Sequence, residues 1–138
     1  MKRTMLVLAL RLVSTGAALA QMGSTRVTAQ VPFDFVLRDK AVPAGELTVQ
    51  SAIMSGVLLI QNADAKVSVL SVPQMDETKK PAGSCVLVFH RYNNRYFLSE
   101  IKIEGSKIAY RIPESKAEAE LRAQNVTANK EVILASLE

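Results

Sequence analysis

His90 is the only histidine of this chain and Cys85 its only cysteine. Nucleophilic chemistry built on a thiol and an imidazole would have to pair these two. They lie five positions apart in one run of β-forming residues, and an odd offset along a strand sends side chains to opposite faces. The pairing is therefore excluded. His90 is expected to pack beside Phe97 across a hairpin, and Cys85 to behave as a small buried apolar residue. One histidine and one cysteine without paired spacing give no zinc or copper centre. Asp64 and Asp76 sit in loops that lack the dense oxygen ligands of a calcium site. Asp34, Glu100 and Glu104 are the carboxylates from which a glycosidase pair would be drawn, but outward strand positions account for them without chemistry. Glu118 is assigned to helix capping and Glu120 to a solvated helix face. The six glycines are dispersed, so no phosphate-cradling loop is present. These readings predict a non-enzymatic protein with no catalytic residue, no metal and no cofactor.

The remaining chemistry-bearing group is Arg91, Tyr92, Arg95 and Tyr96, around the tip of the same hairpin. Tyrosine and arginine are enriched at binding hot spots, so these four are the candidate binding residues. The competing reading is a cross-strand ladder whose long stems cover apolar surface without any partner.

The elements that must position these residues are mostly strands. Arg26 to Leu37 reads as a strand that is at an edge, bulged or split at Pro32, with Val31, Phe33 and Phe35 facing inward. Arg38 to Gly45 reads as a turn region. Glu46 to Ala52 follows as a strand, then Val57 to Gln61 as an apolar run buried on both faces. Asn62 to Lys66 is expected to turn tightly into Val67 to Val72. Pro73 to Gly83, rich in Pro, Lys, Asp and Glu, reads as a solvated loop. Ser84 to Tyr92 and Arg95 to Ile103 flank Asn93-Asn94, two residues able to take positive φ, which is a hairpin signal. Lys107 to Ile112 is the next strand. Pro113 ends it, and Ser115 to Glu118 matches a capping box that opens a helix near 115–124. About ten residues is too short for an autonomous helix, so it must pack on the sheet. Glu131 to Leu137 gives a last strand. The fold class is all-β, a mainly antiparallel sandwich or small barrel of about eight strands with one short C-terminal α-helix.

The first twenty residues stand apart. Lys2 and Arg3, the apolar stretch Met5 to Val13 and Ala18-Leu19-Ala20 have the order of a secretory signal peptide; a surface-lying amphipathic helix is the alternative. The expected organisation is a leader over 1–20, a tether and strand start over 21–30, and one β domain over 31–138. The chain carries 17 basic and 13 acidic side chains, but Lys2, Arg3 and Arg11 leave with the leader. The mature part then holds 14 against 13, scattered along the chain, which argues against nucleic acid as a partner. Aromatics at 5% are too few for the two girdles of an outer-membrane barrel, and the mature chain holds no apolar run long enough for a transmembrane helix.

Val31-Pro32-Phe33-Asp34-Phe35 followed by Val42-Pro43-Ala44-Gly45-Glu46-Leu47-Thr48-Val49 resembles the opening of a family of small exported proteins abundant in acidobacteria. Val86 to Tyr92 with Tyr96-Phe97-Leu98-Ser99 is similar to that family's central hairpin, and Pro113 to Leu121 to its terminal helical segment. Leu47 departs from the pattern, since an aromatic is expected after the Pro-Ala-Gly turn. The resemblance spans roughly residues 31 to 121. It implies an exported β domain and supplies no catalytic residues.

The functional expectation is an exported binding or scaffolding domain, periplasmic or extracellular, whose partner is a cell-envelope protein or polysaccharide. The alternative is a small barrel carrying an apolar ligand in a cavity lined by Phe33, Phe35, Leu58 and Phe97; a hydrolase is the third and least favoured reading, and would need a cleft where polar groups with perturbed protonation converge. Export itself is testable: mass spectrometry of the secreted protein should find Gln21 at its N-terminus, whereas a retained Met1 refutes the leader.

Overall fold

The structure is a computed structural model that describes residues 25–52, 56–62 and 66–137. The leader expected at 1–20, the tether up to residue 24 and the turn residues 53–55 and 63–65 lie outside them. The described strands are β1 (Arg26–Val31), β2 (Phe35–Leu37), β3 (Lys40–Val42), β4 (Gly45–Ala52), β5 (Val57–Asn62), β6 (Val67–Ser71), β7 (Gln74–Glu77), β8 (Cys85–Tyr92), β9 (Arg95–Lys102), β10 (Ile108–Arg111) and β11 (Asn129–Leu137), with one helix, α1 (Lys116–Ala123), between the last two.

The all-β class and the single short helix agree with the sequence reading, while the strand count is eleven rather than about eight. Each extra strand is short. Pro32 cannot donate to a ladder, and it splits the first run into β1 and β2. Asp34 Oδ1 then accepts from Ala44 N at 2.8 Å and holds the break open. The turn region 38–45 contains β3, reversed onto β2 through Arg38 at φ 56. The segment read as a solvated loop contains β7, which pairs with β10 from Gln74↔Arg111 to Glu77↔Ile108. Its sequence Gln-Met-Asp-Glu has no apolar alternation to announce a strand; ladder bonds and the Arg111–Asp76 ion pair at 2.8 Å hold it instead.

The strands form one sheet, nearly closed into a barrel, in the order β3-β2-β9-β8-β11-β1-β4-β5-β6, with β10 and β7 branching from β9. Among the described strands the pairings are antiparallel except β2 with β9, which meet at Val36↔Phe97. The two halves join where β11, paired with β8 along most of its length, passes its last residues to β1 at Ser136↔Thr28 and Leu137↔Val27.

Residues facing the interior form a main core, with a smaller cluster of Val27, Cys85 and Ile103 beside it. Leu87, Phe89 and Ile101 have no exposed surface, and they pack with Phe35, Leu37, Leu47, Leu58 and Ile60 from the other strands. Phe89 is the hub, meeting Phe33 and Phe35 edge-on at 5.0 and 5.1 Å between ring centroids, a favoured arrangement for aromatic pairs. The expectation that β5 is buried on both faces does not hold. Leu58, Ile60 and Asn62 point inward and are buried, while Gln61 is exposed and Val57 and Leu59 are half-buried. Only one face of β5 meets the core, so its apolar run alternates like the rest.

Phe89→Ala should cost about 3–5 kcal/mol of stability by emptying the hub. Leu134→Ala, at a side chain 71% exposed on β11, should stay within about 0.5 kcal/mol. Urea unfolding of both variants measures the difference.

Candidate functional site

The β8–β9 hairpin carries the polar cluster of the molecule. Its turn closes through Asn93 at φ 55, and the register runs Tyr92↔Arg95, Arg91↔Tyr96, His90↔Phe97 and Phe89↔Leu98. His90 does sit opposite Phe97, as the sequence implied. The next pair is Val88↔Glu100, so Ser99 is an extra residue on β9 without a partner on β8. This bulge has a packing cause. Leu98 and Ile101 stand three apart, which in a regular strand sends them to opposite faces, yet they oppose Phe89 and Leu87 in the same core. One inserted residue reconciles them, and bulges re-aim the side chains around them. The freed Ser99 carbonyl accepts from Ile112 N at 2.8 Å, tying the chain after β10 to the bulge.

That tie delivers the helix. Ser115 caps α1 by accepting from Glu118 N at 3.2 Å. The last turn closes with Asn125 N bonded to Arg122 O and Val126 N to Leu121 O, with Asn125 left-handed at φ 61, a Schellman stop. The capping box forms only in half. Glu118 does not spend its carboxylate on the cap, as the sequence suggested; it is buried against the sheet. Its Oε2 lies 2.8 Å from His90 Nδ1 and accepts from the Tyr92 hydroxyl at 2.9 Å. The other imidazole nitrogen, Nε2, is 3.2 Å from Ser99 Oγ. Glu118 is the one residue of α1 that is buried, so a polar clamp rather than an apolar face sets how the helix sits.

The protonation pattern follows from donor counting. A carboxylate only accepts, so the Nδ1 of a neutral His90 carries the hydrogen and points it at Glu118. Nε2 is then an acceptor and takes the Ser99 hydroxyl hydrogen. Burial first, and then the hydrogen bond to Glu118 and the charges of Glu118 and Glu114, push the Tyr92 hydroxyl up to about 12. Among the described residues no group of three or more metal-binding side chains converges here or elsewhere.

This cluster lines a cleft of about 710 Å³ between the outer face of the hairpin, the β6–β7 connection and α1. Three carboxylates (Glu100, Glu114, Glu118) and three cations (Arg111, Arg122, Lys130) line it with Gln74, His90, Tyr92 and Ser99. Arg122 pairs with Glu114 at 3.0 Å. Lys130 lies directly opposite His90 in the β11–β8 register.

The four residues expected at a binding patch are separated. Tyr92 is buried and belongs to the cleft. Arg95 sits on the same face with its guanidinium 5.3 Å above the Phe97 ring. Arg91 reaches Glu131 at 3.2 Å and Asn93 O at 3.0 Å, and Tyr96 stacks on Phe33 at 3.8 Å. Alternation along the hairpin divides the cluster, because Tyr92 and Arg95 face one way and Arg91 and Tyr96 the other. Cys85 is buried, accepting from Glu104 N at 3.3 Å. Ser99 escaped the sequence reading. The signal was available: with His90 opposite Phe97, the residue two further along β9 is its diagonal neighbour on the same face.

The raised Tyr92 gives a stability prediction with a definite sign. Between pH 10 and about 12 the unfolded chain loses this proton and the folded one keeps it, so stability falls as pH rises. The loss is on the order of 2 kcal/mol. Urea titrations across that range should show it in the parent protein, and Tyr92→Phe should flatten the alkaline limb.

Comparison of the chain with protein-family models, curated proteins and solved structures finds no match, so the reading of this cleft rests on its own geometry.

Proposed function

We propose that this chain is an exported domain that works by binding, and that the cleft beside α1 holds a hydroxyl-rich ligand such as a segment of envelope polysaccharide. The observation that carries this reading is the balance of the lining. Three carboxylates stand against three cations, so net charge selects neither anion nor cation. Ser99, His90, Gln74 and the charged groups mix donors with acceptors at close quarters, which suits hydroxyls that do both. The leader-like first twenty residues and the resemblance of residues 31 to 121 to exported acidobacterial proteins support export. Exposed Arg95, beside the cleft residue Tyr92, extends the polar rim toward the hairpin tip.

Carriage of an apolar ligand has less support. Phe35 and Leu58 are packed into one core with Phe89, and Phe97 lies on the other face of the hairpin, against Tyr92 at 5.7 Å. These side chains do not line a shared space.

Titration of ¹⁵N-labelled mature protein with neutral xylo- and cello-oligosaccharides is the test. The amides of Ser99, Arg111, Ile112 and Glu118 should shift at millimolar ligand. Shifts confined to Phe35 and Leu58 on addition of dodecanoate would favour the carrier, and no response to any oligosaccharide overturns the binding reading.

A further inference from the structure

We propose that the cleft is an ester-hydrolysing site in which Ser99 is the nucleophile, His90 its general base and Glu118 the residue that orients the imidazole. This rests on the cleft being the ligand site. Judged against Cys85 alone, His90 has no nucleophile to activate; Ser99, two residues beyond Phe97 on β9, supplies one on the same face.

The geometry meets each requirement of an activated serine. Nucleophile and base are in hydrogen-bond reach, Ser99 Oγ to His90 Nε2 at 3.2 Å, and base and orienting carboxylate are too, His90 Nδ1 to Glu118 Oε2 at 2.8 Å. The two contacts use opposite imidazole nitrogens, so one tautomer serves both: Nδ1–H held by Glu118, and Nε2 free to take the serine proton. The carboxylate is fixed from a second side by Tyr92, which leaves the imidazole little freedom to turn away. Ser99 and His90 both face the cleft. Lys130, opposite His90 on β11, lines the same cleft as the cation available where a carbonyl oxygen gains negative charge during attack, since Arg111 pairs with Asp76.

The reaction follows from these positions. Ser99 Oγ attacks the ester carbonyl carbon while its proton passes to His90 Nε2. The tetrahedral intermediate collapses, the carbon–oxygen bond to the alcohol breaks, and that alcohol leaves with the proton from Nε2. Water then attacks the acyl carbon, giving its proton to Nε2; the bond from that carbon to Ser99 Oγ breaks, Oγ takes the proton back from Nε2, and the carboxylic acid leaves. No other reactant is needed. Ten of the fourteen side chains lining the cleft are charged or polar, which favours a short-acyl ester, such as an acetyl group, on a hydroxyl-rich carrier.

The mature protein should be incubated with p-nitrophenyl acetate and, separately, with O-acetylated xylo-oligosaccharides. Intact-mass and peptide mapping should place one acetyl group on Ser99, and Ser99→Ala should abolish both the adduct and turnover. That variant keeps the backbone bond to Ile112, and circular dichroism checks its fold. His90→Gln should lower turnover by about 10²–10⁴-fold. Glu118→Gln should lower kcat with KM little changed, because the imidazole loses the anionic partner that orients it toward Ser99; a merely loosened helix would reshape the cleft and raise KM as well. A folded protein that takes no acetyl group on Ser99, or a Ser99→Ala variant as active as the parent, overturns the proposal. If unacetylated oligosaccharides still shift the cleft amides in that case, binding stands and only the chemistry is lost. If they do not shift them while Ser99 is acylated, the binding reading fails alone.

Discussion

A carboxylate buried between a helix and a sheet is an expensive object, and the arrangement of this molecule's outer face follows from how Glu118 is satisfied. Removed from water without partners, such a group costs several kcal/mol. Here one oxygen takes bonds from both His90 and Tyr92, and the group sits in the first turn of α1, where the helix dipole favours negative charge. An eight-residue helix with a narrow apolar stripe has little hydrophobic reason to dock in one place. The Glu118 clamp gives it a directional one. Polar contacts of this kind tolerate small errors in distance and angle poorly, so the helix, the imidazole and the phenol fix one another.

The second determinant is the bulge on β9. It begins as a core requirement, since Leu98 and Ile101 must both face inward. On the opposite side of the sheet the unpaired Ser99 lies within reach of His90. The same bulge lies where β9 changes partner, from β2 at Phe97 to β10 at Glu100. The Ser99 carbonyl then captures Ile112 and directs the chain toward Ser115 and α1. Core packing, the fork in the sheet and the polar cleft thus share one inserted residue.

The hairpin tip illustrates how composition and placement differ. Arg91, Tyr92, Arg95 and Tyr96 are close in sequence and look like one patch. The strand period divides them between two faces, and each then meets a different neighbour: Glu131, Glu118, the Phe97 ring and the Phe33 ring. Only Tyr92 ends in the cleft, and there it is buried. The candidate site therefore moved by a few residues, from the turn to the strands beneath it, and from arginine-tyrosine contact to a serine, a histidine and a glutamate.

Local signals sufficed for much of this protein. Alternating apolar residues predicted most of the strands, Asn93-Asn94 the hairpin, Pro32 the break and Ser115 the helix start, because each depends on the backbone preferences of a few adjacent residues. The opposition of His90 and Phe97 was also within reach, since a two-residue turn counts the register for the reader. What no local pattern encoded was the strand β7, held by ladder bonds, and the destination of the Glu118 side chain. In sequence Glu118 is a good capping residue, 28 positions from His90. The choice between cap and clamp depends on where the helix lands, and that is set by the bulge, the Ile112 tie and the shape of the nearly closed sheet together. Nor did apolar alternation alone reveal the bulge, because an extra residue is demanded by the core across from it and not by its own neighbours in the chain.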